Sequence, residues 1–217
     1  MKNVSITKLL FTCCKTTQRC PEQFGFRHHH TTEHAMIALT DFLYQKLGEG
    51  KFAIVVSLDL QKAFDTVNPE ILTKKIRLLG IDEHWFESYL SGRQHYVKIK
   101  NPISQHKEDK IGIPQGTILG PILFSIFIND MPRCLKHSNG YLFADDSNVA
   151  TAGEIENKQT IIQNLEEDLT SISNWMEANR MHINVQKTKV CVFGTKHTYL
   201  SFLHIYVHTI SLHPITY

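Results

Sequence analysis

Three aspartates stand where carboxylates are hardest to place by accident. Asp59 lies within a dense apolar run, Phe52 to Leu60, and Asp145 and Asp146 come one residue after another such run, Tyr141-Leu142-Phe143. An ionised carboxylate at the end of a buried strand is costly unless something compensates its charge. Each aspartate also has an ordinary structural use, since a strand-end Asp can cap and an Asp-Asp pair can simply be a solvated turn. In combination they suggest more. Two strand-borne acids brought together in one sheet offer hard oxygen donors, which suit Mg²⁺, an ion that keeps waters and accepts phosphate oxygens as further ligands. Two such ions would activate an attacking hydroxyl and stabilise a leaving oxygen, which is the chemistry of nucleotidyl transfer.

The elements that must carry these acids can be read from periodicity. Phe52 to Leu60, rich in Val and Ile, reads as a strand buried on both faces. Gly140 to Ala150 reads as a hairpin turning at Asp145-Asp146. Ile162, Leu165, Leu169, Ile172 and Met176 form a helical core stripe, with Trp175 as a packing anchor. Thr32 begins an amphipathic helix with Met36, Leu39, Leu43 and Leu47 on one face and Gly48 as its stop. Asn68-Pro69 opens another helix that Gly80 ends, and Asp82 to Leu90 is a shorter one closed by Gly92. Tyr96 to Lys100 alternates like a half-solvated strand. Gly112 to Gly116 is an irregular link into a helix over Ile118 to Ile128. Met181-Ile183-Val185 and Val190-Val192 predict a closing hairpin. Strands and helices are intermixed, so the expected class is α+β, an antiparallel sheet covered by helices.

Composition narrows the class of protein. The chain has 217 residues, 42% hydrophobic and 20% charged, with a net charge of +2. That is ordinary for a soluble globular protein and neither demands nor excludes a nucleic-acid partner. Arg93 to Lys110 carries five basic and two acidic residues, whereas Glu154 to Arg180 carries six acidic and two basic. A solvated face accounts for the second segment. Five cysteines in irregular positions argue against a disulfide framework and for a reducing compartment. Leu9-Leu10-Phe11 is too short for a signal or membrane segment, so a soluble, intracellular protein without membrane association is expected. Histidines 28–30 diverge as chain neighbours, and the cysteines near them lack a zinc-knuckle spacing.

The motifs then add a family. Val56-Ser57-Leu58-Asp59-Leu60-Gln61-Lys62-Ala63-Phe64-Asp65-Thr66-Val67 resembles motif A of reverse transcriptases in its non-LTR, LINE-like form. Gly112-Ile113-Pro114-Gln115-Gly116-Thr117-Ile118-Leu119-Gly120-Pro121 resembles motif B, and Phe143-Ala144-Asp145-Asp146 motif C. Asn174-Trp175 through Asn184 to Lys187-Thr188 is similar to motif D. Gln23-Phe24-Gly25-Phe26-Arg27 with Thr31-Thr32 resembles the fingers segment that precedes motif A. The resemblance covers about residues 21–195, in the family's order.

It implies a right-hand polymerase palm, an antiparallel sheet backed by helices, with partial fingers and no thumb. On that reading residues 1–20 are irregular and 21–50 are partial fingers. Residues 51–195 are the palm with motifs A to D, including a fingers-like insertion at about 69–110, and 196–217 are an unassigned tail. The resemblance makes Asp59 and Asp145 metal ligands, with Asp146 a ligand or an acid behind them and the Leu60 carbonyl also facing the metal. Two Mg²⁺ ions are implied, with Mn²⁺ as a substitute. Phe64 becomes the aromatic gate that excludes a 2′-hydroxyl, or else plain core. Gln115 contacts the incoming nucleotide, and Gly116 lets the backbone approach it. Lys187 is the general acid for the pyrophosphate, or an exposed hairpin lysine. Arg27 touches the template or is a surface cation. The implied partners are an RNA template, a DNA primer and deoxynucleoside triphosphates.

Two departures stand beside this. Residues 1–20 lack the basic Arg-Pro-Ile-Ser-like run of the family's fingers, and Tyr199 to Tyr217 match neither primer grip nor thumb. The sequence therefore reads as truncated at both ends. The expected function is RNA-directed DNA polymerisation, the alternative an inactive remnant that keeps the palm and at most weak nucleic-acid binding.

Overall fold

The computed structural model describes residues 20–26, 30–100 and 103–194. Arg27, His28, His29 and the tail from Thr195 lie outside them, as do Cys13 and Cys14. The described chain packs as two compact units, one of residues 62–128 and one of residues 20–61 with 129–194.

The second unit is built on a four-stranded antiparallel sheet. Its strands are β1 (Phe52–Leu58), β4 (Asn139–Phe143), β5 (Asp146–Gly153) and β6 (Lys189–Phe193), in the order β4-β5-β1-β6. β1 is central and buried along nearly its whole length, which is why its sequence is a continuous apolar run rather than an alternation. Helix α1 (Thr32–Gly48) sets Leu39 against Val55 and Ala150, with Phe42, Leu43 and Tyr141 closing that cluster. Helix α6 (Lys158–Ala178) buries the expected stripe: Ile162, Leu165, Leu169, Ile172, Trp175 and Met176. Its fully buried Asp168 accepts backbone N–H bonds from Lys136 (2.8 Å) and His137 (3.0 Å), tying the loop that leads into β4 to the helix. Residues 22–24 run beside β4. The Phe24 N–H donates to the Leu142 carbonyl (2.8 Å) and the Leu142 N–H to that of Glu22 (2.9 Å).

The first unit is mainly helical. It contains the single turn α2 (Ala63–Thr66), then α3 (Pro69–Leu78), α4 (His84–Leu90) and α5 (Leu119–Ile128). A small hairpin joins β2 (Arg93–His95) to β3 (Lys107–Asp109). α3 starts as its sequence requires: the Asn68 side chain accepts the Ile71 N–H (3.1 Å), and Pro69 occupies the first turn. Nine of the ten α5 residues are buried, so its helix has no polar face to show in the sequence.

Four expectations need correction. Gly48 does not stop α1; the Glu49 N–H still reaches Gln45 (3.0 Å), and the left-handed turn falls at Gly50 (φ +78°). Met36 belongs to the solvent face of α1, being 58% exposed, and Ala35 with Leu39 makes the buried line. Tyr96 to Lys100 is not a strand beyond an isolated Lys98–Ile103 bridge. Its alternation misleads because Tyr96, Val97 and Ile99 are all more than half exposed and have no face to bury. The closing hairpin is also absent: β6 pairs with β1, and residues 181–185 hold only an isolated Leu60–Ile183 bridge. That distant partner satisfies the β6 backbone better than its own neighbours in the chain.

Candidate active site

The acids gather through backbone pairing. β1 and β5 are registered Leu58 to Ser147, so one further step sets Asp59 across from Asp146. Directly opposed residues of antiparallel strands project to the same face. β4 and β5 are registered Phe143 to Asp146, which leaves Ala144 and Asp145 as a two-residue turn. Asp146 is thus the first residue of β5 rather than part of the turn itself. Ala144 takes φ +57°, a value such turns usually give to glycine. Asp145 and Asp146 are exposed, and Asp59 is half-buried. Partial burial raises the Asp146 pKa above the ordinary carboxylate range, and the charges of Asp145 and then Asp59 add to the shift. Asp146 therefore feels both of the other acids.

Asp59 is fixed from its other side by the segment carrying Lys187. Its carbonyl accepts the Asn184 N–H (2.7 Å), and its own N–H points at the Thr188 hydroxyl (3.4 Å), which itself donates to the Asn184 carbonyl (2.9 Å). The Gln61 N–H donates to the His182 carbonyl (2.9 Å). These bonds flank the Leu60–Ile183 bridge, which turns the Leu60 carbonyl away from residue 183. Lys187 is exposed, in the turn that begins at Asn184.

Phe64, Gln115 and Gly116 belong to the helical unit. The Phe64 ring stacks on Phe124 (centroids 4.8 Å apart) and is partly exposed, so it is anchored in that unit's core. The Gln115 amide donates to the Asp65 carboxylate (2.6 Å). Gly116 takes φ +72° with open space where a Cβ would be, so its backbone conformation is what calls for glycine. The loop before it is stitched to α2: the Gly112 N–H donates to the Val67 carbonyl (2.7 Å) and the Ile113 N–H to that of Phe64 (2.9 Å). Arg27 lies outside the described residues.

Sequence reasoning missed Arg93 and gave Asp65 no role. The Arg93 guanidinium donates to the carbonyls of Leu90, Ile111 and Gly112, bracing the loop that presents Gln115. Only its place in the basic segment hinted at it. Of the described cysteines, Cys20 is buried and Cys134 and Cys191 are half-buried. Burial, chiefly, with an added contribution from Glu22, pushes Cys20 up to about 12, which rules it out as a thiolate nucleophile at neutral pH.

Residues 3–206 match the sequence profile described as "Reverse transcriptase (RNA-dependent DNA polymerase)". The chain belongs to the reverse transcriptase family. This reverse transcriptase domain is 30% identical over 206 residues to the RNA-directed DNA polymerase from mobile element jockey of Drosophila melanogaster, covering 90% of this chain and 22% of that protein. It is also 30% identical over 177 residues to the probable RNA-directed DNA polymerase from transposon BS of the same fly, covering 76% of this chain and 19% of that protein. The chain thus spans about a fifth of the length of these curated relatives. The non-LTR retrotransposon kinship implied by the motifs is shown. Among solved structures it resembles telomerase from Candida tropicalis with a TWJ fragment of telomeric RNA (TM-score 0.62, 15% identity, 88% of this chain and 33% of that one). The corresponding Candida albicans complex gives TM-score 0.61 at 14% identity, over 87% and 35%. That likeness agrees with the α+β, palm-like fold read from the sequence.

Proposed function

We propose that this reverse transcriptase domain is the catalytic core of an RNA-directed DNA polymerase of a non-LTR retrotransposon. The observation that carries the reading is the β1–β5 register, which sets Asp59 across from Asp146, beside the Ala144-Asp145 turn. A purely structural strand end has no need to gather three acids.

The donor set suits a hard divalent cation, because all three side chains offer carboxylate oxygens and their repulsion is what a cation offsets. Among the described residues, no three His, Cys, Asp or Glu side chains converge into a ready metal group. Asp59, Asp145 and Asp146 would hold the cations, two Mg²⁺ with Mn²⁺ as a substitute, with the Leu60 carbonyl as a further ligand. When bound, such ions lower the pKa of the primer hydroxyl and offset charge on the leaving oxygen.

The reaction joins the primer 3′-oxygen to the α-phosphorus of a deoxynucleoside triphosphate and breaks the bond to the β-phosphate oxygen. The 3′-hydroxyl gives up its proton, and Lys187 supplies one to the departing pyrophosphate. Gln115 and Gly116 meet the incoming nucleotide, and Phe64 excludes a ribose 2′-hydroxyl by bulk. Arg27 contacts the RNA template. Among the described residues no helix is long and apolar enough to cross a membrane.

Primer extension on an RNA template with Mg²⁺ tests the reading. The wild type should extend a DNA primer and Asp145→Ala should not. Equal silence of both would remove the polymerase claim for this chain and leave the remnant.

A further inference from the structure

Gly25 has no conformational reason to be glycine. The described glycines with positive φ are Gly50, Gly80, Gly92, Gly112 and Gly116, and Gly25 is not among them. Its surroundings supply the reason instead. A Cβ at Gly25 would collide with the Ala144 backbone nitrogen and stand 3.2 Å from the Ala144 Cα. Both are backbone atoms, so the overlap cannot be relieved by rotating a side chain.

The approach is held on several sides. The Gly25 N–H donates to the Gln23 side-chain oxygen (2.8 Å), and Gln23 is 1% exposed. Gln23 itself bridges Leu142 in parallel, flanked by the Glu22 and Phe24 bonds to that residue. Phe26 packs its ring near Phe143 (centroids 6.3 Å apart). Residues 22–26 therefore form a clasp along the last residues of β4 and over the first turn residue. That residue, Ala144, holds a left-handed conformation, which is unfavourable for a non-glycine residue and persists only when its surroundings enforce it. Asp145 is the next residue, so its carboxylate inherits the position that Ala144 is forced to take.

We infer that Gly25 is a positioning residue for the Asp145 carboxylate, acting by letting the segment 22–26 seat directly on the Ala144 backbone. The inference rests on the reading of Asp145 as an acid of the polymerase site. Any side chain at position 25 lifts the clasp or displaces the turn, and Asp145 moves with it.

The test compares Gly25→Ala with Gly50→Ala in the full chain. Gly50 has φ +78° and open space around its missing Cβ, so its substitution strains the backbone without touching the turn. Both variants should melt below the wild type. Gly25→Ala should lower kcat for primer extension by about tenfold or more, as sub-ångström misplacement of a reacting group does. Its KM for the nucleotide should stay within about twofold of the wild type. It should also weaken Mn²⁺ binding, read by paramagnetic relaxation of water protons, and shift the Ala144 and Asp145 amide resonances. Gly50→Ala should leave kcat, Mn²⁺ binding and those resonances unchanged. The inference is overturned if Gly25→Ala keeps wild-type kcat and Mn²⁺ affinity, or if Gly50→Ala loses both equally. A wild type that does not extend primers fails the polymerase reading instead. In that event unmoved Ala144 and Asp145 resonances in Gly25→Ala still overturn the clasp.

Discussion

The two compact units hold their candidate residues by different physical means. In the sheet unit, Asp59 and Asp146 face one another because β1 and β5 are paired along seven residues. Both acids stand at the end of that ladder, so moving either one strains the backbone pairing next to it. In the helical unit, Gln115 is directed by one exposed side-chain bond to Asp65, on a loop braced by Arg93. A ladder distributes the work of positioning over many bonds, whereas a loop concentrates it in a few. The acids should therefore be rigidly placed and intolerant of chemical change, while the Gln115 loop should be adjustable and sensitive to the loss of single braces.

That contrast can be broken most severely at the acids. Asp59→Ala should reduce primer extension by at least about 10³-fold, as loss of a residue that acts within a catalytic unit does. Its secondary structure by circular dichroism should be unchanged, since the ladder does not depend on the side chain. A variant that retains extension would show that the ladder positions an idle carboxylate. Next in size is Arg93→Ala. It leaves the buried Gly112 carbonyl without its guanidinium donor and should cost about 1–2 kcal/mol, read as a melting temperature lower by several degrees. It should also raise the nucleotide KM more than it lowers kcat. Arg93→Lys should recover little, because an ammonium cannot reproduce the fork. Asp65→Ala should act in the same direction but more weakly, raising KM by about threefold and barely moving the melting temperature, because its bond to Gln115 is exposed. An effect on kcat alone would place Asp65 elsewhere in the chemistry.

The smallest effect sharpens the comparison from the acids' side. The folded chain raises the Asp146 pKa, so the native state binds its proton more firmly than the unfolded chain does. Stability contributed by this group therefore falls as pH rises from the ordinary carboxylate value through the raised one, and the loss persists at neutral pH. Asp146→Asn should relieve it. With the carboxylate largely solvated, the gain is held below about 1 kcal/mol, a melting temperature higher by a degree or two near pH 7 and unchanged at low pH. A lower melting temperature at neutral pH would mean that the repulsion is already compensated within the fold.

Much of this was legible in the residues. β1, the β4–β5 hairpin, the α6 stripe and the start of α3 each carry a local pattern: an apolar run, a turn between strands, a period of 3.6, an Asn-Pro cap. The three acids stood out because they interrupt or end such runs. What could not be read depends on distant partners. The strand Lys189–Phe193 was visible, but nothing near it says that its mate is β1 rather than Met181–Val185. Tyr96–Lys100 alternates, and yet Tyr96, Val97 and Ile99 all stay more than half exposed. Arg93 braces carbonyls up to nineteen positions away, and Gly25 meets Ala144 across most of the domain's sequence. A glycine chosen for close approach carries no local signature, unlike Gly80, which sits where a helix must end.

The central claim is that Asp59, Asp145 and Asp146 form one cation-dependent site. Titrating Mn²⁺ into the wild type, Asp59→Ala and Asp145→Ala, with water-proton relaxation as the readout, tests it most directly. Saturable binding in the wild type, displaced by Mg²⁺ and lost in both variants, is the predicted result. Equal binding in all three proteins, or none in the wild type, would contradict it.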